Sequence, residues 1–458
     1  MRKRLLLLVA VAALSASAFA QEAQQEAPKQ HFKPYGFIRS YAAYDTRATK
    51  SLSEDLFFFV PLDEYKVDDV DVNAHGVFNY QAITTRLGLD IKGYKVGNTG
   101  IEGKIEADFY CLSSGGNIGT LRMRQAYVKL LWGDNDGFNH NLLIGQAWHP
   151  LAADLANTIA LETGAPFSPF NRSAQIMYNA NLACGLTFTA GLVEQMQYRS
   201  SGPDGGTNKY QRNAILPEVY AGLSFKKGGF LGRVGVSALS IRPHYGYATI
   251  EKVVGTEQKL TPEGYQTVDK TETVAQKYDE WLTTFNPFVF LQYTGKNFQV
   301  KAKAVYAQAG EHMQLNGGYA ATALKADGIS YEYTPTRSVV GFISGQGTFG
   351  KVQLIGMVGY QRNLGLEGGK KMLDESLYYY SGNGFKNAKQ MIRATPTLAY
   401  NIGKLQLALE YDFTAVQYGG NSDGKVKLGD DFNADGSVVD ARHWISNHRI
   451  LFMTKYSF

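Results

Sequence analysis

One pattern constrains this chain more than any other: segments of about ten residues in which apolar side chains recur at every second position, the length at which a tilted strand crosses a bilayer. Over 101–109, Ile101, Gly103, Ile105, Ala107 and Phe109 alternate with Glu102, Lys104, Glu106 and Asp108. Over 405–413, Leu405, Leu407, Leu409, Tyr411 and Phe413 alternate with Gln406, Ala408, Glu410 and Asp412. Successive side chains of a strand point to opposite faces. Each segment therefore carries one face for lipid and one for water.

The same test places strands near 34–45, 78–93, 120–132, 141–148, 172–179, 183–195, 216–226 and 230–242, and again near 281–294, 298–308, 337–347, 352–362 and 390–400. With the terminal segment 449–458 the total is about sixteen, an even number as in single-chain bacterial barrels. The expected fold class is all-β, a transmembrane antiparallel β-barrel, because closure leaves no edge to present unpaired backbone groups to lipid. Short turn-like links at 226–229, 295–297, 350–351 and 401–404 alternate with long polar connections near 46–76, 149–171, 243–280, 310–336, 363–389 and 414–447. That asymmetry reads as periplasmic turns and extracellular loops, with both termini on the periplasmic side.

The ends of the chain agree with this reading. Met1 to Ala20 has a basic start (Arg2, Lys3, Arg4), an apolar run from Leu5 to Leu14 and small residues at the close, the features of a secretory signal cleaved before Gln21. Residues 21–33 lack periodicity and are expected to be a flexible periplasmic lead, with 34–458 forming the barrel. At the other end Ile450, Phe452, Thr454, Tyr456 and Phe458 share one face. A final aromatic after such alternation resembles the sorting signal of outer-membrane barrels, so Phe458 is expected to engage the barrel-assembly machinery.

Composition narrows the class further. No stretch beyond residue 20 approaches the roughly 18 consecutive apolar residues of a spanning helix, and the mean hydropathy is -0.23. Of 46 basic residues, Arg2, Lys3 and Arg4 leave with the signal, so 43 face 41 acidic ones. That near balance gives no support to a nucleic-acid partner. The two cysteines, Cys111 and Cys184, are expected to lie near opposite ends of the wall as small packing residues, too far apart to bond.

The inward positions hold the candidate chemistry: Arg39, Arg86, Arg122, Arg124, Arg172, Arg233, Lys301, Lys303 and Arg393. Guanidinium groups in a narrow aqueous passage attract carboxylates and phosphates, because low-dielectric walls concentrate the field and the rigid fork suits oxyanions. The competing reading is that each arginine only pairs with an acid across the wall, since Glu102, Glu106, Asp108, Glu410 and Asp412 share the lumen. Arg122 and Arg124 form the strongest pair, with no acid between residues 109 and 133. The connection 149–171 is unusually apolar (Leu151, Ala152, Ala153, Leu155, Ala156, Ile159, Ala160) and closes at Pro166 and Pro169, so it is expected to fold into the barrel as a constriction. The loop containing Leu52 to Val60 is expected to pack on the barrel or on a neighbour.

Other motifs are weak. Asp431, Asn433 and Asp435 before Gly436 resemble the opening of a calcium loop, but Arg442 stands at the twelfth position where a bidentate acid belongs. Gly345, Gly347 and Gly350 match a dinucleotide pattern, yet a strand-like segment follows where a helix is needed. No hydrolase elbow, zinc motif or P-loop is present, so neither a cofactor nor an enzyme activity is expected.

Several motifs together resemble the DcaP-like porin family, especially its members in Bacteroidota. They are Tyr35-Gly36-Phe37-Ile38-Arg39, then Leu121-Arg122-Met123-Arg124-Gln125-Ala126-Tyr127-Val128, then Leu143-Ile144-Gly145-Gln146-Ala147-Trp148, and Asn447-His448-Arg449 before the final strand. The resemblance implies a homotrimer of sixteen-stranded barrels in a Gram-negative outer membrane, with an arginine-lined constriction that passes small anions such as dicarboxylates. By position that role falls on Arg39, Arg122 and Arg124, and on Arg172. The short lead before residue 34 departs from members with a helical N-terminal extension. The expected function is passive diffusion of small polar, carboxylate-type solutes across the outer-membrane lipid. The alternatives are a phosphate-selective channel, a sugar channel with Tyr41, Tyr44 and Trp148 as a stacking track, an outer-membrane hydrolase, and a structural envelope protein.

Overall fold

A computed structural model describes residues 31–52, 55–110, 120–133, 139–382, 385, 387–419 and 442–458. The wall runs in chain order: β1 (His31–Asp45), β2 (Val77–Gln81 and Arg86–Val96), β3 (Thr99–Tyr110), β4 (Thr120–Gly133), β5 (Asn139–Trp148), β6 (Arg172–Asn181), β7 (Leu186–Glu194) and β8 (Glu218–Lys227). It continues with β9 (Phe230–Ile241), β10 (Leu282–Thr294), β11 (Phe298–Gln308), β12 (Tyr331–Phe349), β13 (Val352–Leu366), β14 (Ala388–Ala394 and Thr397–Ile402), β15 (Leu405–Tyr418) and β16 (His443–Ser457). Each strand pairs antiparallel with the next, and β1 closes on β16 from Phe37 opposite Ser457 to Asp45 opposite Arg449. The result is a closed barrel of sixteen strands, so the edge problem of an open sheet disappears. β1 begins at His31, three residues before the expected boundary.

Alternation along the strands becomes inside and outside. Ile105 is 54% exposed on the outer surface while Glu106 beside it is 5% exposed, and Leu409 and Glu410 differ in the same way, 51% against 0%. Leu87, Val234, Ile343 and Phe452 join the outer apolar belt. A continuous belt of that kind is stable against hydrocarbon, not against water. Among the described residues no helix is long and apolar enough to cross a membrane.

Two expected strands prove to be interrupted, each for a local reason. β14 breaks at Pro396, which lacks the amide that a continuous ladder needs. β2 breaks at 82–85, where Thr84 takes a left-handed conformation, φ 64°. That break turns the Thr84 hydroxyl toward Arg39 on β1.

The long connections do not all stay outside. Residues 149–171 cross the barrel to its far wall. The Asn157 amide donates to Ser344 Oγ of β12, 3.0 Å, and the Ile159 amide to Glu410 of β15, 3.0 Å, while Tyr41 of β1 donates to the Ile159 carbonyl, 2.6 Å. Phe167 is buried against Gly359 of β13, where an added Cβ would stand 2.4 Å from its ring, so only glycine admits this approach. The hairpin formed by Thr49–Leu52 and Phe57–Pro61 also packs inward, with Phe58, Phe59 and Val60 buried. A third segment, around Gly310–Met313, lies on the first: the Phe170 amide donates to the Met313 carbonyl and Asn171 Nδ2 to the His312 carbonyl. A long exposed hairpin, Tyr247–Thr261 with Gly264–Lys277, projects from the same end.

Cys184 departs from its expected packing role, because it sits exposed in the short turn between β6 and β7; Cys111 lies outside the described residues. Cys184 gives a test of sidedness. In a Cys111→Ser background an impermeant maleimide should label Cys184 in opened envelopes and leave it unlabelled on intact cells; labelling of intact cells would invert the topology.

Candidate functional site

The inserted segment 149–171 divides the lumen, and on one side of it lies a chamber of about 230 Å³. Arg39, Arg86, Arg122, Arg124 and Lys455 border it, against two carboxylates, Glu106 and Asp108. Leu155, Leu161 and Thr163 of the inserted segment form the facing wall. The chamber is therefore a constriction with a positive balance.

Local geometry explains why β4 contributes so heavily. The β3–β4 register pairs Glu106 with Gln125 and Ala107 with Met123, so Arg124 is the extra residue of a β-bulge. A bulge re-aims a side chain; here Arg122, Arg124 and Gln125 all border the chamber, although strict alternation would send one of the last two outward. Arg122 grips Asp108 with two bonds of 3.0 Å. Arg124 bonds Glu106 at 2.8 Å and Asp108 at 2.9 Å. These two arginines do pair with acids across the wall, as the competing reading required, but the cations outnumber those acids.

The remaining chamber arginines rest mainly on neutral groups, although Arg86 also stands 3.9 Å from the Glu106 carboxylate. Arg39 donates to Thr84 Oγ1 from both Nε, 3.0 Å, and Nη2, 2.7 Å. Its guanidinium lies 4.8 Å from the centre of the Phe37 ring, and Arg86 approaches that ring at 4.9 Å. Arg122 stands 4.3 Å from the Tyr110 ring. Stacking on aromatic faces fixes the planes of weakly hydrated guanidiniums and leaves their N–H edges free to meet solutes.

The other candidate cations are placed elsewhere. Arg172 is buried beneath Trp148, 4.8 Å from its ring, and its guanidinium makes no hydrogen bond among the described residues. Arg233 pairs with Asp154 of the inserted segment at 2.7 Å, Lys301 donates to the Leu155 carbonyl at 3.0 Å, and Lys303 donates to the carbonyls of Leu151 and Asp154. Arg393 is fully buried among Thr414, Glu162 and the carbonyls of Ala165 and Phe59. Lys301, Lys303 and Arg393 cap inserted carbonyls that would otherwise be buried unpaired, and Arg233 holds the Asp154 carboxylate of the same segment. They do not front open water in the chamber. Asp431, Asn433 and Asp435 lie outside the described residues.

Sequence reasoning missed Lys455. Its signal was its place on the inner face of the last strand, two residues beyond Met453, which is buried. It also missed the aromatic supports Phe37 and Tyr110. The expected aromatic track is not assembled: Trp148 borders the chamber, but Tyr41 is buried with its hydroxyl on the Ile159 carbonyl, and Tyr44 is 44% exposed on the outer surface.

Two titratable groups sit in the segment that covers the inserted loop. Burial pushes the Glu311 carboxyl from 4.5 up to about 8, and burial holds the His312 ring below its ordinary 6.5. Above pH about 6.5 the imidazole is neutral whether or not the segment is packed, leaving Glu311 to govern. Packed Glu311 keeps its proton up to about 8 whereas exposed Glu311 would already have lost it, so the segment loses stability as pH rises through that window. Amide exchange over 309–317, corrected for intrinsic rate, should accelerate from pH about 6.5 to about 8, and Glu311→Gln should remove the trend. A flat wild-type profile would refute this.

Residues 13–190 match the family model described as DcaP outer membrane protein. No curated protein matches the sequence at a significant level. The crystal structure of the outer membrane channel DcaP of Acinetobacter baumannii is similar over 94% of this chain and 97% of its own, with a TM-score of 0.59 at 18% identity. OmpF of Salmonella typhi is matched with a TM-score of 0.48 at 12% identity, over 93% of this chain and 97% of that one. OmpT of Vibrio cholerae is matched with 0.46 at 12% identity, over 96% and 100%. The family match over the first part of the chain and the apolar belt around a closed sixteen-stranded wall converge: this is a Gram-negative outer-membrane β-barrel with a porin fold.

Proposed function

We propose that the chain is a passive diffusion channel for small polar solutes with a preference for carboxylate-type anions. One observation carries this reading: among the described residues the chamber beside the inserted segment presents five cations against two carboxylates, with guanidinium edges on aromatic supports. Low-dielectric walls concentrate that field and raise the local concentration of anions. Exchange remains fast, because conduction needs sites that bind well enough to be entered and weakly enough to be left.

The resemblance to DcaP-like porins supports a homotrimer, the basic, apolar and small-residue regions of 1–20 support a cleaved signal, and the alternating final strand supports assembly through Phe458. The channel reading is tested by reversal potential in a planar bilayer under a sodium chloride gradient. The expected sign is that of anion preference; cation preference would end the proposal. Phosphate as the competing anion then separates a phosphate-selective channel from a carboxylate-type one.

A further inference from the structure

Below the arginine chamber, toward the short turns, lies a second cavity of about 600 Å³ between β4 and β9. The two share Gln125 and Trp148 as lining residues, so they adjoin. β4 borders both, with Arg122 and Arg124 above and Tyr127 and Lys129 below.

The lower cavity has a different chemistry. Among the described residues no carboxylate borders it; Lys129, Lys226 and Arg233 are its cations, and much of the remaining polar wall is amide and hydroxyl: Asn141, Gln175, Asn179, Thr187, Thr189 and Ser224. Several of these are fixed in a cross-strand row. Asn179 Nδ2 donates to Asn141 Oδ1 at 3.1 Å, Thr189 Oγ1 donates to Asn179 Oδ1 at 2.8 Å, and Thr187 Oγ1 donates to Asn181 Oδ1 at 2.8 Å. Each side-chain amide has two N–H donors and a carbonyl with two lone pairs, so these bonds leave spare donors and acceptors along the row. A surface that both donates and accepts is the complement of alcohol groups, which also do both. The Trp148 and Tyr127 rings supply flat apolar faces beside it.

We propose that the solutes best fitted to this lumen are sugar acids, molecules with one anionic group on a polyhydroxylated body. The carboxylate, drawn in past Arg122 and Arg124, would meet the Lys129 ammonium, two positions from the β4 residue that pairs with Asn141, while the hydroxyls run along the Asn141, Asn179 and Thr189 row. A carboxylate without hydroxyls satisfies the cations but leaves the amide and hydroxyl row unmatched, and a neutral sugar satisfies that row but not the cations. This inference rests on the anion reading above and adds the chemistry of the body.

The test is a bi-ionic reversal potential between sodium glucuronate and sodium cyclohexanecarboxylate, a ring of similar size without hydroxyls. The expected result is a several-fold permeability ratio in favour of glucuronate. Asn141→Leu with Asn179→Leu should bring that ratio close to one while leaving the sodium chloride reversal potential unchanged; Thr189→Val, a milder change, should lower it part of the way. Equal permeability in the native channel, or a ratio that survives these substitutions, would overturn the inference even if anion preference stands. Cation preference in sodium chloride would instead remove the reading beneath it.

Discussion

Reversing two charges on β4, Arg122→Glu with Arg124→Glu, should change the sign of the channel's ion selectivity. The native chamber has five cations and two carboxylates at its border; the variant would have three cations and four carboxylates. Glu106 and Asp108 would also lose the arginine forks that now neutralise them. Fields inside a narrow low-dielectric passage act over its whole width, so the sign of the local balance decides which ion enters. The measurement is reversal potential under a salt gradient. A milder variant guards against misfolding: Arg39→Gln with Lys455→Gln removes two cations that have no ion pair among the described residues, and should weaken anion preference without reversing it. If neither variant moves the potential, selectivity lies elsewhere in the lumen.

Replacing residues 152–164 by a short flexible link should raise single-channel conductance several-fold. A barrel of sixteen strands is wide enough to leave an aqueous channel, and here that width is occupied by the inserted segment, anchored on β1, β12 and β15. Removing it takes away Leu155, Leu161 and Thr163, which face the chamber cations. It also removes Asp154 and Glu162, exposing Arg233 and Arg393 to water. Conductance should therefore rise while anion preference persists, and exclusion by size should be lost. Gly359→Leu offers the same test with one substitution, since the new side chain would displace Phe167 from its seat and make conductance unsteady. Unchanged conductance in the deletion would mean that ions never pass this segment.

Much of this could be read before any coordinates. Glu106 and Asp108 were legible as inward and Ile105 as outward because alternation is local. The insertion of 149–171 was legible from Leu151, Leu155 and Ile159, whose apolar side chains need something to pack on. Other features were not. Strict alternation cannot announce a bulge, so the consecutive inward placement of Arg124 and Gln125 follows only from the pairing with β3. Tyr41 does not join a track, because its hydroxyl is taken by the Ile159 carbonyl of the inserted segment, 118 residues away, which no local pattern contains.

The amino-acid order alone settled the wall: a closed antiparallel barrel, its lipid face and its two unequal ends. It could do so because the bilayer is a uniform solvent that tests every strand by the same period of two. What the cations do was decided only by tertiary structure. Arg393 and Arg122 are alike as inward arginines on barrel strands, but one holds Glu162 and the Phe59 carbonyl, 231 and 334 residues away, and the other borders the chamber. Which donor meets water and which meets a buried carbonyl depends on where inserted loops come to rest across the lumen, and no local pattern contains that.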